Sequence, residues 1–382
     1  MHDRNNNINK TAKKAVAFLF LILLVAVPIV LNGCTAVNRT QDLTNQDLLW
    51  PSAPFDPRIQ WVKNIHDRQD AGIEKSFWKR VVEFVAGEEK DGIGKPYGVY
   101  VDNRKRLFIA DTGRGIVHEY DTNGNEYFII GNNEKRELLT PIALTGDDAG
   151  NLYITDSAAG AVFRYNIREK ILIEFIAGKL VQPTGIAFNS KKNLLYITDT
   201  ASHQIVVFDL QGFERFRIGG RGGSSGYFNY PTDLCVDSGG DLYVTDALNA
   251  RIQVFSADGK FLRMFGTAGD SAGYFAKPKG VAVDSEGHVY VSDAIQDSVQ
   301  IFDKTGALML VFGESGNGAG QFWMPSGLFI DSSDTIYVSD SYNQRIQMFQ
   351  YLKSTEGKSE LQNLKSPITS IKQTNMDMGH LR

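Results

Sequence analysis

The amino-acid sequence predicts an all-β protein with the architecture of a six-bladed β-propeller. Three observations support this prediction: a segment of about 45 residues recurs six times, each copy consists of short apolar stretches between polar turns, and the composition favours strands. The 382 residues include 37 Gly, and 11% of them are aromatic. Aromatic residues favour strands, and Gly favours turns. A chain with 42% hydrophobic residues can also bury a large core.

The repeat has a register of three positions. Each copy opens at a proline: Pro96, Pro141, Pro183, Pro231, Pro278 and Pro325. A later strand ends at an aspartate, and these residues are Asp111, Asp156, Asp199, Asp246, Asp293 and Asp340. Nine residues after each aspartate stands an aromatic residue: Tyr120, Tyr165, Phe208, Phe255, Phe302 and Phe349. The spacings between successive aspartates are 45, 43, 47, 47 and 47 residues.

Each copy has the pattern of several short strands. Stretches such as LYVTD and VYVSD alternate and are rich in β-branched and aromatic residues, and DSGGD and DSEGH have the composition of hairpin turns. Segments such as KFLRMFG and ALMLVFG supply a fourth strand. Six units of this length, each with four strands, are typical of a propeller.

The loop after the Asp and the third strand together carry a more specific motif. It reads NARIQVF from Asn249 to Phe255 and NQRIQMF from Asn343 to Phe349. Together with the Pro-x-Gly opening and the Leu/Val-Tyr-Val-x-Asp strand, this motif resembles the NHL repeat over residues 94–351. The resemblance implies a six-bladed propeller. The first two copies depart from the pattern, because they lack the Asn/Arg pair and Ala143 replaces the glycine.

The segments outside the repeats have separate predictions. The last copy stops at Tyr351 without a fourth strand, and residues 58–65 repeat its Arg-Ile-Gln theme, so we expect them to close the ring and remove an exposed sheet edge. Within 58–93, a short amphipathic helix is predicted over residues 73–86. Residues 34–57 are predicted to be a linker, and residues 352–382 a flexible polar tail.

The N-terminus has the pattern of an export signal. A basic stretch precedes the apolar run from Ala15 to Leu31, which leads to Gly33 and Cys34. This resembles a lipoprotein signal, and the resemblance implies a signal peptide over 1–33 and lipidation of Cys34. The alternative is an uncleaved membrane anchor, since the run approaches the length of a spanning helix. Both alternatives predict an exported domain tethered to a membrane. Thr35 stands where some lipoproteins have an Asp that retains them at the inner membrane, so we expect a protein that is in the outer membrane or faces the periplasm.

The charge argues against one class of partner. The formal net charge is −4, and removal of residues 1–33 takes away four basic residues and one acidic residue, which makes it −7. Binding of nucleic acid requires clustered positive charge. We therefore expect no nucleic-acid partner.

The six repeated aspartates are predicted to be structural, because an Asp at a strand end can bind the backbone of its own loop. A ring of carboxylates around one cation is the alternative. Antiparallel pairing places the Pro-x-Gly opening and the loop after each Asp on one face, which we call the loop face. Residues expected to bind a partner there are Tyr97, Arg114, His203, Thr232, Asn249, Arg251, Lys279, Gln296, Tyr342, Asn343 and Arg345. A solvated rim without a binding role is the alternative for this set.

No catalytic residues or metal ligands are predicted. Some six-bladed propellers with this repeat resemble amidating lyases that hold zinc with histidines, but His118, His203 and His288 fall at different repeat positions. Cys235 replaces an Ala of other copies and is expected to be a buried core thiol. The chain is therefore expected to be a non-enzymatic scaffold for an envelope protein, peptide or glycan. The alternative is a lyase or hydrolase that acts at the channel mouth with a divalent cation.

Overall fold

The computed structural model describes residues 48–74, 92–133 and 136–353. They lie in one compact unit, Asp47–Arg382. The described residues form six antiparallel sheets of four or five strands, which are the six blades, and two small two-stranded sheets. The predicted all-β propeller is confirmed.

The strands follow one another blade by blade, except that the first two strands of the chain belong to the last blade. These two are β1 (Leu49–Trp50) and β2 (Ile59–Ile65). Blade 1 contains β3 (Pro96–Val101), β4 (Leu107–Asp111), β5 (Ile116–Asp121) and β6 (Glu126–Ile130). A small hairpin of β7 (Asn132–Asn133) and β8 (Arg136–Glu137) follows. Blade 2 contains β9 (Pro141–Gly146), β10 (Asn151–Asp156), β11 (Ala161–Asn166) and β12 (Ile171–Ile176).

The next blades repeat this order. Blade 3 contains β13 (Pro183–Asn189), β14 (Leu194–Asp199), β15 (Gln204–Asp209) and β16 (Glu214–Gly219). Blade 4 contains β17 (Pro231–Val236), β18 (Leu242–Asp246), β19 (Arg251–Phe255) and β20 (Phe261–Phe265). Short 3-10 helices, Thr200–Ser202 and Ala247–Asn249, join the second and third strands of these two blades.

Blade 5 contains β21 (Pro278–Val283), β22 (Val289–Asp293), β23 (Ser298–Phe302) and β24 (Leu308–Phe312). A two-stranded parallel sheet of β25 (Glu314–Ser315) and β26 (Gln321–Phe322) links it to blade 6. Blade 6 contains β27 (Pro325–Ile330), β28 (Thr335–Asp340) and β29 (Arg345–Tyr351), followed in the sheet by β2 and β1.

The opening proline and the strand-ending aspartate are direct partners across each blade. They pair in register in all six blades, as Pro96 with Asp111, Pro141 with Asp156, Pro183 with Asp199, Pro231 with Asp246, Pro278 with Asp293, and Pro325 with Asp340. The start of each inner strand therefore lies beside the end of the second strand. This places the Pro-x-Gly openings and the loops after Asp on the same face.

The ring closes between the two ends of the domain. Strand β2 pairs antiparallel with β29, with Ile59 opposite Tyr351 and Ile65 opposite Ile346. The closing strand predicted over residues 58–65 is thus confirmed by its pairing. The linker predicted over 34–57 is wrong for its last part, because β1 extends the same sheet and Trp50 packs against Phe312 and Phe349, with ring centroids 6.0 and 5.9 Å apart.

Close packing of the inner strands explains the repeated glycine. A Cβ atom at Gly327 would overlap the carbonyl oxygen of Tyr97, and one at Gly98 would overlap the carbonyl oxygen of Ile142. Adjacent blades contact each other backbone to backbone at these points. The aromatic residues at the ends of the third strands are all buried between blades, and each contributes about 2–3 kcal/mol of hydrophobic stabilisation.

Several predicted segments lie outside the described residues. They are the signal segment, Cys34, most of the helix predicted over 73–86, and the tail from residue 354. Before the gap at 75–91, Ile73 is buried and the Glu74 amide donates to Asn125 Oδ1 over 2.8 Å. At the other end, Leu352 is buried and its amide donates to the Arg58 carbonyl. Among the described residues, no helix has the length and hydropathy needed to cross a membrane.

Candidate functional site

The six repeated aspartates hold the loop face together. All six are fully buried. Each carboxylate accepts a hydrogen bond from the backbone amide of the residue that stands two positions before the opening proline of the same blade. The donors are the amides of Gly94, Leu139, Val181, Asn229, Ala276 and Trp323, at 2.6–3.1 Å. These contacts fix the start of the inner strand, as well as the loop after Asp in several blades. The structural role expected for these residues agrees with this geometry.

In blade 1 a buried histidine joins this arrangement. Burial raises the pKa of Asp111, but hydrogen bonds from His118 and from the amides of Lys95 and Gly94 lower it to about 2. His118 Nε2 lies 3.1 Å from Asp111 Oδ2, and its Nδ1 lies 2.8 Å from the hydroxyl of Tyr127. Both ring nitrogens of His118 are therefore engaged within the blade.

Arg251 and Arg345 were expected to contact a partner, and the structure corrects this. Arg251 is 7% exposed and Arg345 is 3% exposed. Arg251 Nε donates to Asp246 Oδ2 over 2.8 Å, and its terminal nitrogens donate to the carbonyls of the preceding inter-blade loop at Gly223, Ser224 and Tyr227. Arg345 makes the same set of contacts with Asp340 and with the loop carbonyls of Asn317, Gly318 and Gln321. Both side chains tie one blade to the loop that precedes it.

Four more predicted binding residues are also engaged within the propeller. Asn249 and Asn343 donate to the carbonyls of Gly222 and Gly316, at 3.0 and 2.8 Å. Gln296 donates to the carbonyls of Gly269 and Tyr274. His203 is buried, has a positive φ of 56°, and accepts a hydrogen bond from the Tyr230 amide at Nδ1 over 3.1 Å. Burial makes His203 unavailable to a partner. Asn249, Asn343 and Gln296 are half-buried, and their expected binding role stays a prediction.

The remaining predicted residues are accessible at the loop face. Arg114 and Tyr342 are exposed, and Tyr97, Thr232 and Lys279 are half-buried. They share this face with a ring of exposed apolar side chains from blades 2 to 6, which we call the collar. The collar consists of Leu139, Val181, Tyr230, Leu248, Ile295, Trp323 and Tyr342.

Apart from Tyr342, the collar was not predicted, although its sequence signal was present. Most of its members stand two residues before an opening proline or two residues after a repeated aspartate, and these positions lie on the loop face. In blade 6 the collar is aromatic: the rings of Trp323 and Tyr342 lie 5.5 Å apart, with exposed fractions of 53% and 46%. Exposed apolar patches on a polar surface commonly mark binding sites.

Positive charge gathers at the same face. Lys279 in blade 5 places its Nζ 6.0 Å from the ring centroid of Tyr97 in blade 1, and so extends across the opening of blade 6. Lys95 Nζ lies 4.9 Å from the ring centroid of Tyr342. Burial lowers the pKa of the Lys279 ammonium, and the charges of Lys277 and Lys95 lower it further. These three lysines are therefore electrostatic neighbours at the mouth of the channel.

The central channel is a cavity of about 250 Å³ lined by the inner strands of all six blades. Among the described residues that line it, Asp233 is the only one with a carboxyl group. This group accepts a hydrogen bond from the Val281 amide over 3.2 Å. Burial raises the pKa of Asp233 to about 7, although backbone hydrogen bonds oppose this shift. Cys235 also lines the channel and packs against a core cluster that includes Tyr243, so the thiol expected in the core is there but only half-buried.

Asp233 was not among the predicted site residues, although the sequence contains a signal for it. It stands in blade 4 at the position where other blades have Gly98, Gly185, Gly280 and Gly327. A side chain as large as that of Asp is unusual at this repeat position, because the inner strands of neighbouring blades approach one another closely there. A residue that differs from its counterparts at such a position marks the place where this propeller departs from its own repeat.

The histidines do not converge on one site. His118 and His203 are engaged as described above, and His288 Nδ1 lies 2.8 Å from Asp284 Oδ2 in the turn on the opposite face. In the part of the chain that the structure describes, no group of three or more His, Cys, Asp or Glu side chains could hold a metal ion.

Comparison with known families agrees with this architecture. A family model described as the NHL repeat matches residues 180–208 and 228–255. A second model, described as a 6-bladed beta-propeller, matches residues 285–375. The NHL repeat-containing protein 2 of Gallus gallus is 25% identical over 191 residues, which cover 40% of this chain and 25% of that protein. The chain thus spans about a quarter of the length of this curated relative.

Solved structures share the fold at low sequence identity. The gluconolactonase from Xanthomonas campestris has a TM-score of 0.54 and 15% identity, over 78% of this chain and 99% of that chain. An auxiliary nutrient binding protein from Bacteroides thetaiotaomicron also has a TM-score of 0.54 and 15% identity, over 69% and 71%. The virginiamycin B lyase from Staphylococcus aureus has a TM-score of 0.50 and 16% identity, over 68% and 95%. With six closed blades and the matched repeats, the chain is a six-bladed β-propeller that contains NHL repeats.

Proposed function

We propose that this chain is an exported, membrane-tethered binding protein of the cell envelope, which holds an envelope protein, peptide or glycan on its loop face without catalysing a reaction. The observation that carries this proposal is the collar. Seven large apolar side chains stay exposed on one face of a rigid ring, beside accessible polar groups such as Lys279 and Arg114. A rigid scaffold that presents exposed side chains from many loops is a common arrangement for recognition.

The composition of the collar supports a binding role. Trp and Tyr are enriched among the residues that dominate the energy of protein interfaces, and Trp323, Tyr342 and Tyr230 provide three such side chains. The buried arginines and aspartates contribute by holding the loops in place, so that little conformational entropy is lost on binding. The collar is therefore a preorganised surface.

The tether rests on the sequence. The apolar run that ends at Leu31, followed by Gly33 and Cys34, supports lipidation of Cys34 and export. Acyl chains contribute about 0.8 kcal/mol per buried methylene to membrane binding. A tethered scaffold meets its partners at the membrane surface, where a partner in the same compartment is effectively concentrated.

An enzyme remains the alternative. Solved structures with a similar fold include a gluconolactonase and a virginiamycin B lyase. Their sequence identities to this chain are 15% and 16%, so the similarity shows the fold alone. The engagement of His118, His203 and His288 in separate contacts favours the binding role over a histidine-bound metal. Metal analysis of the dialysed protein separates the two: a stoichiometric divalent ion would favour the lyase or hydrolase.

The proposal is tested by crosslinked co-purification of the full-length protein from its own membranes. The parent is compared with the collar variant Trp323→Ser/Tyr342→Ser. The matched control is Phe213→Ser/Met309→Ser, which removes two exposed apolar side chains outside the collar. We expect the parent and the control to capture the same partner and the collar variant to lose at least nine-tenths of it. Equal capture by all three proteins would contradict the proposal.

A further inference from the structure

We propose that the mouth of the channel on the loop face binds a carboxylate side chain of an acidic peptide segment, whose neighbouring apolar side chains pack on the collar. This inference rests on the proposed function and names the chemistry of its partner. The carboxylate is received by Lys95, Lys277 and Lys279. The apolar side chains are received by Leu248, Ile295, Trp323 and Tyr342, among other members of the collar.

The Lys279 ammonium lies in an environment that disfavours its positive charge. The Lys279 side chain is half-buried, and its ammonium group forms no hydrogen bond or ion pair within the described residues. Its Nζ lies 6.0 Å from the ring centroid of Tyr97. A charge withdrawn from water without a counter-ion is unfavourable. The lowered pKa of this ammonium reflects the same cost. An incoming carboxylate would supply the missing counter-ion.

Two more lysines lie close enough to Lys279 at the mouth of the channel to affect its charge. Lys95 and Lys277 are exposed and, among the described residues, form no ion pair, and both disfavour the charge on Lys279. The chain as a whole is acidic, with a net charge of −4, so three lysines at one channel mouth stand against the overall charge. Such a local positive field attracts and orients an anionic ligand.

The collar distinguishes a peptide from other anions. Inorganic phosphate would use the lysines alone, and a sugar ring would stack on Trp323 and Tyr342. The aliphatic members Leu139, Val181, Leu248 and Ile295 are between 57% and 66% exposed, and aliphatic surface is matched by the apolar side chains of a peptide. The carboxyl group of Asp233 in the channel wall does not oppose an anion in its neutral form, and its pKa is raised to about 7.

The test uses the full-length protein and synthetic fluorescent decapeptides, with fluorescence anisotropy as the readout. One peptide alternates leucine and glutamate, and its matched control alternates leucine and glutamine. A third probe is a fluorescent oligogalacturonate, which carries carboxylates on a sugar chain. We expect the glutamate peptide to bind at least tenfold more tightly than the other two probes. Its affinity should fall as salt is added, because exposed charges are screened.

Two charge-matched variants locate the site. The triple change Lys95→Gln/Lys277→Gln/Lys279→Gln should weaken binding of the glutamate peptide about tenfold or more. The triple change Lys192→Gln/Lys260→Gln/Lys304→Gln removes three exposed lysines from turns of the opposite face and should leave the affinity within about twofold.

The outcomes separate this inference from the proposed function. Equal binding of the glutamate and glutamine peptides, or an unchanged affinity of the first triple variant, would overturn the carboxylate subsite and leave a purely apolar binding face. Preference for the oligogalacturonate would overturn the peptide partner and favour an acidic glycan. Binding of none of the probes, together with failed capture by the parent in the co-purification, would overturn both proposals.

Discussion

Arg251 and Asp246 form a buried ion pair in blade 4, with Nε and Oδ2 separated by 2.8 Å and side chains that are 9% and 0% exposed. The remaining nitrogens of Arg251 bind carbonyls of the preceding inter-blade loop. One arginine thus joins the repeated aspartate of its own blade to the chain segment that links blades 3 and 4. This relationship converts a residue on the predicted binding face into part of the framework that supports that face.

The change Arg251→Ala should therefore destabilise the fold. It leaves the buried carboxylate of Asp246 without its charged partner, which typically costs about 3–5 kcal/mol. The control is Arg215→Ala, which removes an exposed arginine whose Nη1 lies 3.7 Å from Asp209, and an exposed pair contributes less than about 1 kcal/mol. Urea unfolding of both variants measures the difference. Equal free energies of unfolding for the two would contradict the framework role.

Asp233 should make stability depend on pH. Its pKa is about 7 in the folded protein and about 3.9 in an unfolded chain, so the folded state retains a proton that the unfolded state releases. The stability that this proton provides is present at low pH and declines as the pH rises from about 4 to about 7. Asp233→Asn removes this titration. We expect the gain in stability of the variant over the parent to rise from about 1.5 kcal/mol at pH 5 to about 4 kcal/mol at pH 8.

Thermal or urea unfolding at several pH values measures this gain. The control Asp258→Asn changes a carboxylate whose side chain is 81% exposed, and it should not reproduce the gain of Asp233→Asn. If Asp233→Asn gave a constant difference from the parent, the raised pKa of Asp233 would be refuted.

The ring should not tolerate a side chain at Gly327. A Cβ atom there would overlap the carbonyl oxygen of Tyr97 in the neighbouring inner strand, and the backbone would have to move. We expect Gly327→Ala to cost at least about 2 kcal/mol, since overpacked sites lose 1–3 kcal/mol or more. Gly223→Ala is the control, because the nearest atom to its Cβ, in Asn249, is 4.0 Å away. Similar denaturation midpoints for both variants would show that the inner strands are not in close contact.

Closure of the ring should depend on β2. A chain that starts at Asp47 keeps both β1 and β2, whereas a chain that starts at His66 lacks them and leaves β29 as an exposed edge. An unpaired edge strand promotes association with other chains. We expect the longer chain to be a soluble monomer by size-exclusion chromatography, and the shorter one to aggregate. A monomeric, cooperatively folded shorter chain would mean that closure through β2 is dispensable.

The blade register could be predicted because it is local. The pairing of Pro231 with Asp246 joins residues of one repeat, and its signals recur six times. Closure by β2 could also be predicted, since residues 58–65 carry the theme of the missing strand. The added strand at Trp50 gave no signal, because two residues are too few to show an alternating pattern.

The repeat pattern predicted on which face these residues lie, but not which atoms they contact. Repeat positions correctly placed Arg345 and Asn343 on the loop face, yet their acceptors are backbone carbonyls of a loop 24 to 28 residues earlier in the chain. A sequence pattern does not reveal carbonyl positions in a loop. Exposed apolar residues such as Leu248 were not predicted, because an apolar residue in a sequence usually indicates a buried position. Asp233 was detectable by comparing the six copies at the glycine position.

The most direct test of the binding face is site-directed photo-crosslinking in the full-length protein in the cells that produce it. A photo-reactive amino acid is placed at Leu248, Ile295 or Tyr342 in the collar, and at Phe213 or Lys260 in turns of the opposite face. A binding site on the loop face predicts that one partner crosslinks to the three collar positions and to neither control position. Crosslinks to that partner from Phe213 and Lys260, with none from the collar, would contradict the loop face as the binding surface.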